Sequence, residues 1–349
     1  MKGAVVVVDA DVLGRQRTGD ETYVHNLLEQ LGSLDTGLRI SAVARDPELV
    51  PAGVVPEALP VRSYAARLAW RLPLRLRRIK PAVAHFQYIV PPAYRGVAVV
   101  TVHDLSYELL PELEDRFDGW ALRRLVPPSL RRAARVLTVS QWTKADLVRR
   151  YGIDPGRVVV TPNGVDPVFT PAGARPDIAD YLLFVGALRP RKDPVTALEA
   201  LALLPDHLRM VMVGPDKGEL PRVQAAVERL GLGARVILRG HVGRDELGAL
   251  YRGATCMVLP SRYEGFGLPV VEAMASGTPV VSTTAGAIPE IAGDAALLVA
   301  PRDPRALAVA VHEALRRRDD LVARGLERAQ RFTWEAMARS TAEVYRALV

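Results

Sequence analysis

The stretch ATCMVLPSRYEGFGLPVVEAMASGTPVVS, residues 254–282, contains the alternation of elements that decides the fold. It begins with the apolar run 254–259, continues through a glycine-rich loop and ends in a second apolar run at 279–282. Pro269 suits the first turn of a helix, and Gly277 suits its end. The order strand, loop, helix, strand therefore predicts one βαβ unit of a parallel sheet.

Similar units precede and follow this one along the chain. Their apolar runs are continuous rather than alternating, which is typical of strands buried on both faces of a parallel sheet. The runs form two series, one at 4–8, 40–43, 82–85, 97–102 and 135–139 and the other at 181–185, 209–213, 236–238, 254–259, 279–282 and 296–299. Two such series in tandem predict an α/β protein with two Rossmann-like, doubly wound domains.

A segment dense in turn formers separates the two series. Residues 161–173 are rich in Pro, Asn, Gly and Asp and have no helical period, which indicates a connection between domains. We expect an N-terminal domain over residues 1–172 and a C-terminal domain over residues 173–333. The pattern at 334–349 predicts a last helix, which we expect to pack back on the N-terminal domain.

Composition restricts the class of protein before any motif is considered. Of the 349 residues, 49% are hydrophobic and 24% are charged, an ordinary globular composition that argues against disorder. No apolar stretch approaches the roughly 20 residues of a transmembrane helix, and we recognise no signal peptide. The single cysteine, Cys256, excludes an intramolecular disulfide and favours a reducing, cytoplasmic location.

The formal net charge of +7 is concentrated in the N-terminal half. Residues 1–175 carry 24 Lys and Arg against 18 Asp and Glu, whereas residues 176–349 carry 22 against 21. The stretch 65–80 interleaves six basic residues with Trp70 and aliphatic side chains. This pattern allows peripheral contact with an anionic membrane, such as the inner face of the plasma membrane. Pro73 interrupts the stretch, however, and helices packed on a sheet also expose arginines, so both interpretations stay open.

The glycine-rich loop carries most of the chemistry. Gly265 and Gly267 precede the predicted helix, where free backbone N–H groups and the helix dipole favour an anion such as phosphate. Glu264 and Glu272 are eight positions apart, a poor match to the close carboxylate pair of a retaining glycosidase. Each glutamate is suited to accept hydrogen bonds from a different part of one elongated ligand, and sugar or ribose hydroxyls are the usual donors.

A family resemblance rests on the string E-G-F-G-L-P-x-x-E-A-M-A-S-G-x-P-V-V at 264–281. It resembles the E-x7-E signature of retaining glycosyltransferases of family 4, whose GT-B fold has two Rossmann-like domains facing each other across a cleft. The likeness covers nearly the whole chain. The other matching segments are the first strand and glycine-bearing loop at 9–23, the His-Asp strand end at 102–106, the inter-domain connection at 161–166, the basic diphosphate loop at 186–193 and the base-flanking segment at 237–242.

The resemblance implies roles for individual residues. Lys192 and Arg191 would hold the donor diphosphate, and Glu272 would hold the ribose hydroxyls. Glu264 and His103 would contact the transferred sugar, and these two with Lys192 and Arg191 are the expected catalytic residues. Further donor-binding residues would be Gly14, Gly19, Gly186, His241, Val242, Gly265, Phe266, Gly267 and Leu268.

One departure from the family pattern lies in the diphosphate loop. Many members have an arginine where this chain has Ala187, so that role passes to Arg191 or Arg189. The segment around Asn163 and Gly164 is a candidate hinge for closure of the two domains around the donor.

The activity that the resemblance implies is retaining transfer of a hexose from a nucleotide diphosphate sugar to an acceptor hydroxyl, in the synthesis of a cell-surface glycan, glycolipid or polysaccharide. It favours mannose with GDP-mannose as donor, and a UDP-sugar next. The acceptor could be a glycan, a lipid-linked molecule or a small molecule. We expect no metal and no cofactor, although Asp9 and Asp11 imitate the metal-binding D-x-D of another glycosyltransferase fold.

Two alternatives stay open at this point. A nucleotide-sugar epimerase or a phosphorylase could use the same fold. A basic nucleic-acid-binding protein is an alternative of another class, because residues 140–152 could pass for a helix of a helix-turn-helix. Charge and one helix are all that favour it, so we expect no nucleic-acid partner.

Overall fold

The computed structural model describes residues 3–15, 18–110 and 116–349. Within these residues the chain forms two compact units. The first contains the described residues up to Gly164 together with Trp334–Val349, and the second contains Val165–Thr333. Each unit is built around one parallel sheet with helices between its strands. The two doubly wound sheets predicted from the apolar runs are therefore confirmed.

The first sheet is entirely parallel, with the strand order β3-β2-β1-β4-β5-β6-β7. Its strands are β1 (Val5–Asp9), β2 (Arg39–Ala44), β3 (Val55–Ala58), β4 (Val83–Gln87), β5 (Ala98–Val102), β6 (Arg135–Thr138) and β7 (Val158–Val160). The five predicted strands are confirmed. The pattern missed β3 and β7, which form the two edges of the sheet.

The helices of the first unit are α1 (Thr18–Ser33), α2 (Tyr64–Ala66), α3 (Leu72–Ile79), α4 (Ser106–Leu109), α5 (Arg116–Arg132), α6 (Gln141–Tyr151) and α14 (Trp334–Arg346). A π-helical turn, Arg67–Arg71, joins α2 to α3, and Pro73 lies in the first turn of α3. The helical backbone is continuous from Tyr64 to Ile79, but the π turn directly before Pro73 interrupts its α-helical hydrogen-bond pattern, as a residue without an N–H allows. No helix of the described residues is long and apolar enough to span a membrane.

The second sheet repeats the plan of the first. Its strands are β8 (Tyr181–Val185), β9 (Arg209–Val213), β10 (Val236–Gly240), β11 (Cys256–Leu259), β12 (Val280–Thr283) and β13 (Ala296–Val299), in the parallel order β10-β9-β8-β11-β12-β13. The helices are α7 (Pro194–Leu201), α8 (Leu220–Arg229), α9 (Arg244–Gly253), α10 (Leu268–Ala275), α11 (Ile288–Ala292), α12 (Pro304–Arg316) and α13 (Arg318–Ala329). All six predicted strands of this sheet are confirmed.

Strand order places the ligand-binding edge of each sheet. The direction of winding reverses between β1 and β4 in the first sheet and between β8 and β11 in the second. In such sheets, ligands bind outside the carboxyl ends of the strands at this switch point. Gly186 directly follows β8 and Pro260 directly follows β11, so the loops that begin there lie at the expected position for a ligand.

The chain enters the second unit earlier than the turn-rich sequence suggests. The Val165 amide donates to the Phe332 carbonyl at 3.1 Å, and the Arg252 guanidinium donates to the carbonyls of Val168 and Ala174. Residues 165–172, which we assigned to the N-terminal domain, therefore belong to the second unit. These bonds tie the connecting segment to distant residues, which turn composition does not reveal.

The C-terminal helix α14 lies in the first unit. It packs beside α1, and Tyr345 on α14 is fully buried. The Tyr345 hydroxyl lies 2.6 Å from His85 Nδ1, and His85 Nε2 lies 2.7 Å from Thr101 Oγ1. Burial lowers the pKa of His85 to about 3, so this histidine is neutral and joins the helix to β4 and β5 as a hydrogen-bonding group.

Helix α6 has the features of a capped helix packed on a sheet. The Ser140 hydroxyl accepts from the Thr143 amide at 3.1 Å, and Leu147 is buried in the core beneath the helix. Gly152 ends the helix in the left-handed conformation. This placement takes away the one local feature that favoured a DNA-binding helix-turn-helix.

Candidate active site

Two loops meet at the switch point of the second sheet. A short 3-10 turn, Pro190–Lys192, lies in the loop after β8, and Ser261–Gly267 form the loop after β11. The Arg262 amide donates to the Arg191 carbonyl at 2.8 Å. This backbone bond brings the predicted diphosphate loop against the predicted sugar-binding loop.

Glu264 binds side chains from both loops. Lys192 Nζ donates to Glu264 Oε1 at 2.5 Å, and Arg191 Nη1 lies 3.4 Å from Glu264 Oε2. Ser261 Oγ also donates to Oε1, at 2.6 Å. Glu264 is only 5% exposed, so the cluster is a largely desolvated ion pair with added hydrogen bonds. The role of Ser261 could not be predicted from the sequence, because only the folding of the loop brings its hydroxyl to the carboxylate.

The cluster carries more positive than negative charge. Burial alone would raise the pKa of Glu264, but Lys192 and Arg191 outweigh it and hold the pKa of this carboxyl below its ordinary value. Burial lowers the pKa of Lys192, and the positive charges of Arg191 and Arg189 add to that effect. Two cations on one carboxylate leave a surplus of positive charge that favours binding of a further anion.

Ala187, which stands where many family members have an arginine, has no side chain that could contact a donor diphosphate in the way an arginine does. Ala187 is buried, whereas Arg191 is 9% exposed and also donates to the Tyr263 carbonyl at 2.9 Å. Arg191 therefore helps to hold the loop that carries Glu264. Arg189 is half-buried and lies at the start of the same turn.

Glycine at 186 gives the Lys192 side chain its space. A Cβ on Gly186 would lie 3.3 Å from Lys192 Cδ and Cε, and a Cβ on Gly214 would lie 2.1 Å from the Gly186 carbonyl oxygen. The backbones that follow β8 and β9 therefore approach each other as only glycine allows. The Gly186 backbone therefore lies beside the Lys192 side chain, and its part in donor binding stays a prediction.

Glu272 lies on α10 and has a different set of neighbours. The Tyr251 hydroxyl donates to Glu272 Oε2 at 2.8 Å. Burial raises the pKa of Glu272 to about 7; the Tyr251 bond, Lys192 and Arg244 lower it, and Asp166 raises it. The two motif glutamates therefore occupy opposite electrostatic environments, one strongly ionised and one close to its titration point at neutral pH.

The remaining predicted donor-binding residues lie along the same edge of the second sheet. Gly265, Gly267 and Leu268 form the turn into α10, and Gly267 has a φ of +98°. The Phe266 side chain packs edge to face against Phe332 with ring centroids 5.5 Å apart, so its backbone is the part left for a ligand. Beyond β10, His241 is exposed and Val242 is half-buried.

The first unit holds the other three predicted residues. His103 follows β5 and is 9% exposed; its Nε2 lies 2.8 Å from Gln87 Oε1, and its ring meets the Tyr23 ring edge to face at 4.7 Å. Gly14 has a φ of +75° and donates its amide to Glu21. Gly19 is exposed in the first turn of α1. Gln16 and Arg17, in the loop between these glycines, lie outside the described residues.

Asp9 and Asp11 have cationic partners. Arg67 is fully buried and donates to Asp9, and its Nε lies 3.5 Å from Asp11 Oδ1. Arg45 lies 3.8 Å from Asp11. Across the described ranges, no group of three or more His, Cys, Asp or Glu side chains is placed to hold a metal ion.

Replacing Gly286 with alanine should destabilise the site strongly. Gly286 has a φ of +63°, and a Cβ there would lie 2.2 Å from the Glu264 carbonyl oxygen, which the Ala287 amide binds. We expect a loss of more than about 3 kcal/mol in the free energy of unfolding, measured by urea titration. Gly277→Ala is the matched control, because Gly277 has a φ of +70° but no atom closer than 3.4 Å to the added Cβ. It should lose only about 1–2 kcal/mol; equal losses would contradict the steric argument.

The fold and the site together define a glycosyltransferase. The model for Glycosyltransferase Family 4 matches residues 17–169, and the model for glycosyl transferases group 1 matches residues 170–333. The O-antigen chain mannosyltransferase B of Escherichia coli is 31% identical over 302 residues, which are 82% of this chain and 78% of that protein. The chain belongs to the family 4 glycosyltransferases.

Other relatives resemble the chain over different lengths. D-inositol 3-phosphate glycosyltransferase 2 of Catenulispora acidiphila is 36% identical over 61% of this chain, and the match spans 56% of that protein. Sucrose-phosphate synthase from Thermosynechococcus elongatus has a TM-score of 0.83 at 23% identity and 99% coverage of both chains. HepE from Anabaena, in complex with UDP-glucose, has a TM-score of 0.76 at 19% identity, covering 98% of this chain and 99% of that chain. These two structures confirm the GT-B type of fold.

Proposed function

We propose that the protein transfers a hexose, with mannose favoured, from a nucleotide diphosphate sugar to an acceptor hydroxyl with retention at the anomeric carbon. One observation carries this proposal: Lys192 and Arg191 both contact Glu264 at the switch point of the second sheet, and the positive charge of Arg189 acts on Lys192, so the cluster has a surplus of positive charge. Such a cluster suits the diphosphate of a sugar donor, which gains negative charge as it leaves. The likeness to a mannosyltransferase supports GDP-mannose as donor, and the likeness to a UDP-glucose complex supports a UDP-sugar next.

The contacts of Glu264 favour a role in binding the sugar rather than attack on it. The carboxylate already accepts from Lys192 and Ser261 and pairs with Arg191. We therefore propose that the acceptor oxygen attacks the anomeric carbon directly, on the face that the diphosphate leaves. The bond to the phosphate oxygen breaks, and that oxygen takes the proton of the acceptor hydroxyl.

The cations would act on the leaving group. Lys192 and one of the two nearby arginines would stabilise the departing diphosphate without a metal ion, and Arg189 is the better candidate because Arg191 is committed to Tyr263 and Glu264. His103, in the first unit, is proposed to contact the transferred sugar. Glu272 is proposed to accept hydrogen bonds from the ribose hydroxyls. No cofactor is part of this proposal, and the hydroxyl acceptor could be a glycan, a lipid-linked molecule or a small molecule.

The experiment that tests this proposal is a thermal-shift panel of GDP, UDP, ADP and dTDP with their hexose conjugates, on wild type and Glu272→Ala. A ligand that binds only the folded state stabilises it by about 2.7 kcal/mol at a hundredfold excess over Kd. We expect one nucleotide family to stabilise the wild type and to stabilise the variant much less. Incubation of that donor with simple glycoside acceptors in EDTA, followed by NMR of the anomeric proton, should then show a new linkage with the donor's configuration.

Other outcomes of the same experiment would overturn the proposal. A product with an inverted ring hydroxyl would indicate an epimerase, and a sugar phosphate formed with inorganic phosphate would indicate a phosphorylase. Inversion at the anomeric carbon, or loss of activity in EDTA, would contradict the retaining or the metal-free part. Absence of stabilisation by every nucleotide would contradict the donor site itself.

We also propose an anionic membrane surface as a partner, through residues 65–80. Trp70 is 57% exposed and Leu74 is 49% exposed, an arrangement that suits insertion at a lipid headgroup boundary. Exposed cations lie beside them at Arg71, Arg77, Arg78 and Lys80. Two basic residues of the stretch do not contribute, because Arg67 is fully buried and Arg75 pairs with Glu57.

Vesicle cosedimentation tests this partner. We expect binding to phosphatidylglycerol vesicles that exceeds binding to phosphatidylcholine vesicles and that falls at least tenfold in the variant Trp70→Ser/Arg77→Ser/Arg78→Ser. Trp142→Ser is the control, since Trp142 is 42% exposed on α6. Equal loss in both variants, or equal binding to both lipids, would contradict the proposal.

A further inference from the structure

Tyr251 is the only side chain within the described residues that donates a hydrogen bond to the Glu272 carboxylate. It lies on α9, is fully buried, and its hydroxyl donates to Glu272 Oε2 at 2.8 Å. No family role was expected for Tyr251. Tyr251 lies on α9 and Glu272 lies on α10, so the hydrogen bond joins two different helices.

The Tyr251 ring and backbone are held on further sides. The Phe169 ring meets the Tyr251 ring edge to face with centroids 5.5 Å apart, and Thr278 Oγ1 donates to the Tyr251 carbonyl at 2.5 Å. A buried phenol held by these contacts cannot easily change its position when the side chain of Glu272 moves. The hydroxyl therefore determines where Glu272 Oε2 lies, and the described residues provide no donor to Oε1.

We infer that Tyr251 is a positioning residue that holds Glu272 by one oxygen and leaves the other to accept the ribose hydroxyls of the donor. This inference rests on the proposed function, because it assumes that Glu272 binds the ribose. It goes beyond that function by assigning the orientation of Glu272 to a residue that need not touch the substrate.

The charges around Glu272 support the same assignment. Four groups act on it from the elements around it: Tyr251 and Arg244 on α9, Lys192 in the loop after β8 and Asp166 in the connecting segment. Arg244 is itself paired with Asp166 at 2.6 Å, so part of its charge is compensated. The Tyr251 bond therefore opposes the effect of burial and lowers the pKa of Glu272, which favours the ionised carboxylate, the form that accepts hydrogen bonds on both oxygens.

The test compares ribose with deoxyribose in Tyr251→Phe. Affinities of GDP, UDP and their 2′-deoxy counterparts are measured by calorimetry between pH 5.5 and 8.5 for wild type, Tyr251→Phe and Glu272→Ala. For the nucleotide that binds the wild type, we expect Tyr251→Phe to lower the affinity of the ribonucleotide about tenfold and to reduce its advantage over the deoxynucleotide. The acid limb of the affinity profile should move to higher pH, because loss of the bond raises the pKa of Glu272 further.

Tyr181→Phe is the matched control. Tyr181 is also fully buried in the second unit, and its hydroxyl donates to the carbonyl of Leu250 on α9 at 2.5 Å, so the variant loses a buried tyrosine hydrogen bond to the same helix that does not involve Glu272. It should keep the ribose preference and the pH profile of the wild type. 3-Fluorotyrosine at position 251 is a second probe that keeps the shape; its more acidic hydroxyl should move the acid limb to lower pH.

The outcomes separate this inference from the proposed function. If Glu272→Ala keeps the wild-type preference for ribose, or if neither nucleotide binds the wild type, the proposed donor site is wrong and this inference falls with it. If Glu272→Ala loses the preference but Tyr251→Phe keeps both the preference and the pH profile, then Glu272 binds ribose without the help of Tyr251 and the inference alone is overturned.

Discussion

Replacement of Lys192 by methionine should abolish most hexose transfer. The Lys192 ammonium lies 2.5 Å from Glu264 in a largely desolvated cluster, so it is a fixed positive charge where we propose that the diphosphate leaves. Removal of one group that stabilises transition-state charge typically costs about 10²–10³ in kcat, and a loss of this size is expected in a donor-saturated assay. Lys217→Met is the control, since Lys217 is exposed and joins the loop after β8 through its backbone amide.

A double variant separates catalysis from folding at this pair. Lys192→Met leaves the negative charge of Glu264 paired with Arg191 alone. Glu264→Gln leaves the positive charges of Lys192 and Arg191 side by side without a carboxylate. Each single change should lower the free energy of unfolding by about 3–5 kcal/mol, because removal of one partner leaves a buried charge. The double variant Lys192→Met/Glu264→Gln should regain part of that stability in urea titrations while staying inactive. Recovery of activity together with stability would show that the pair is only structural.

The two motif glutamates should respond in opposite ways to replacement by glutamine. The pKa of Glu272 is raised to about 7 from an ordinary 4.5, so the folded protein binds a proton more tightly than the unfolded chain does. This group therefore contributes stability below pH 4.5, and the contribution is lost as the pH rises through 7. Glu272→Gln should raise the free energy of unfolding at pH 8 by about 2 kcal/mol and change it little at pH 5.

Glu264 provides the contrast in the same measurement. Its pKa is held below the ordinary value, so its contribution to stability is present at neutral and alkaline pH and is lost as the pH falls through the lowered pKa. Glu264→Gln should therefore be less stable than wild type at pH 8 and approach it in acid. Urea titrations of both variants at pH 5 and pH 8 measure these changes in the free energy of unfolding. If the two variants change in the same direction between the two pH values, the electrostatic environments assigned to Glu264 and Glu272 are wrong.

The strands that the sequence did not reveal are the edges of the first sheet. β3 contains Pro56 and Glu57 and is mostly exposed, so it lacks the continuous apolar run that marks a strand covered on both faces. β7 has only three residues, Val158–Val160. Central strands could be predicted because burial on both faces demands apolar side chains at every position, whereas edge strands are held by backbone hydrogen bonds that most side chains permit.

The candidate site was predictable in part for a similar reason. Glu264, Glu272 and Lys192 lie in motifs whose residue types and spacing indicate their chemistry. Ser261 and Tyr251 do not, because their importance comes from contacts such as the one between Tyr251 on α9 and Glu272 on α10. A hydrogen bond between two helices depends on how they pack, and no local pattern records it.

Because α14 belongs to the first unit but follows the second unit in sequence, the two units are completed in a different order from the one in which they are begun. Within the described residues the second unit is one continuous stretch, Val165–Thr333, so we expect it to fold once that stretch has left the ribosome. The first unit is begun earlier but needs Tyr345, whose hydroxyl is the partner of the buried His85. During synthesis, the surface of the first unit that α14 covers should therefore stay exposed until the second unit has been synthesised.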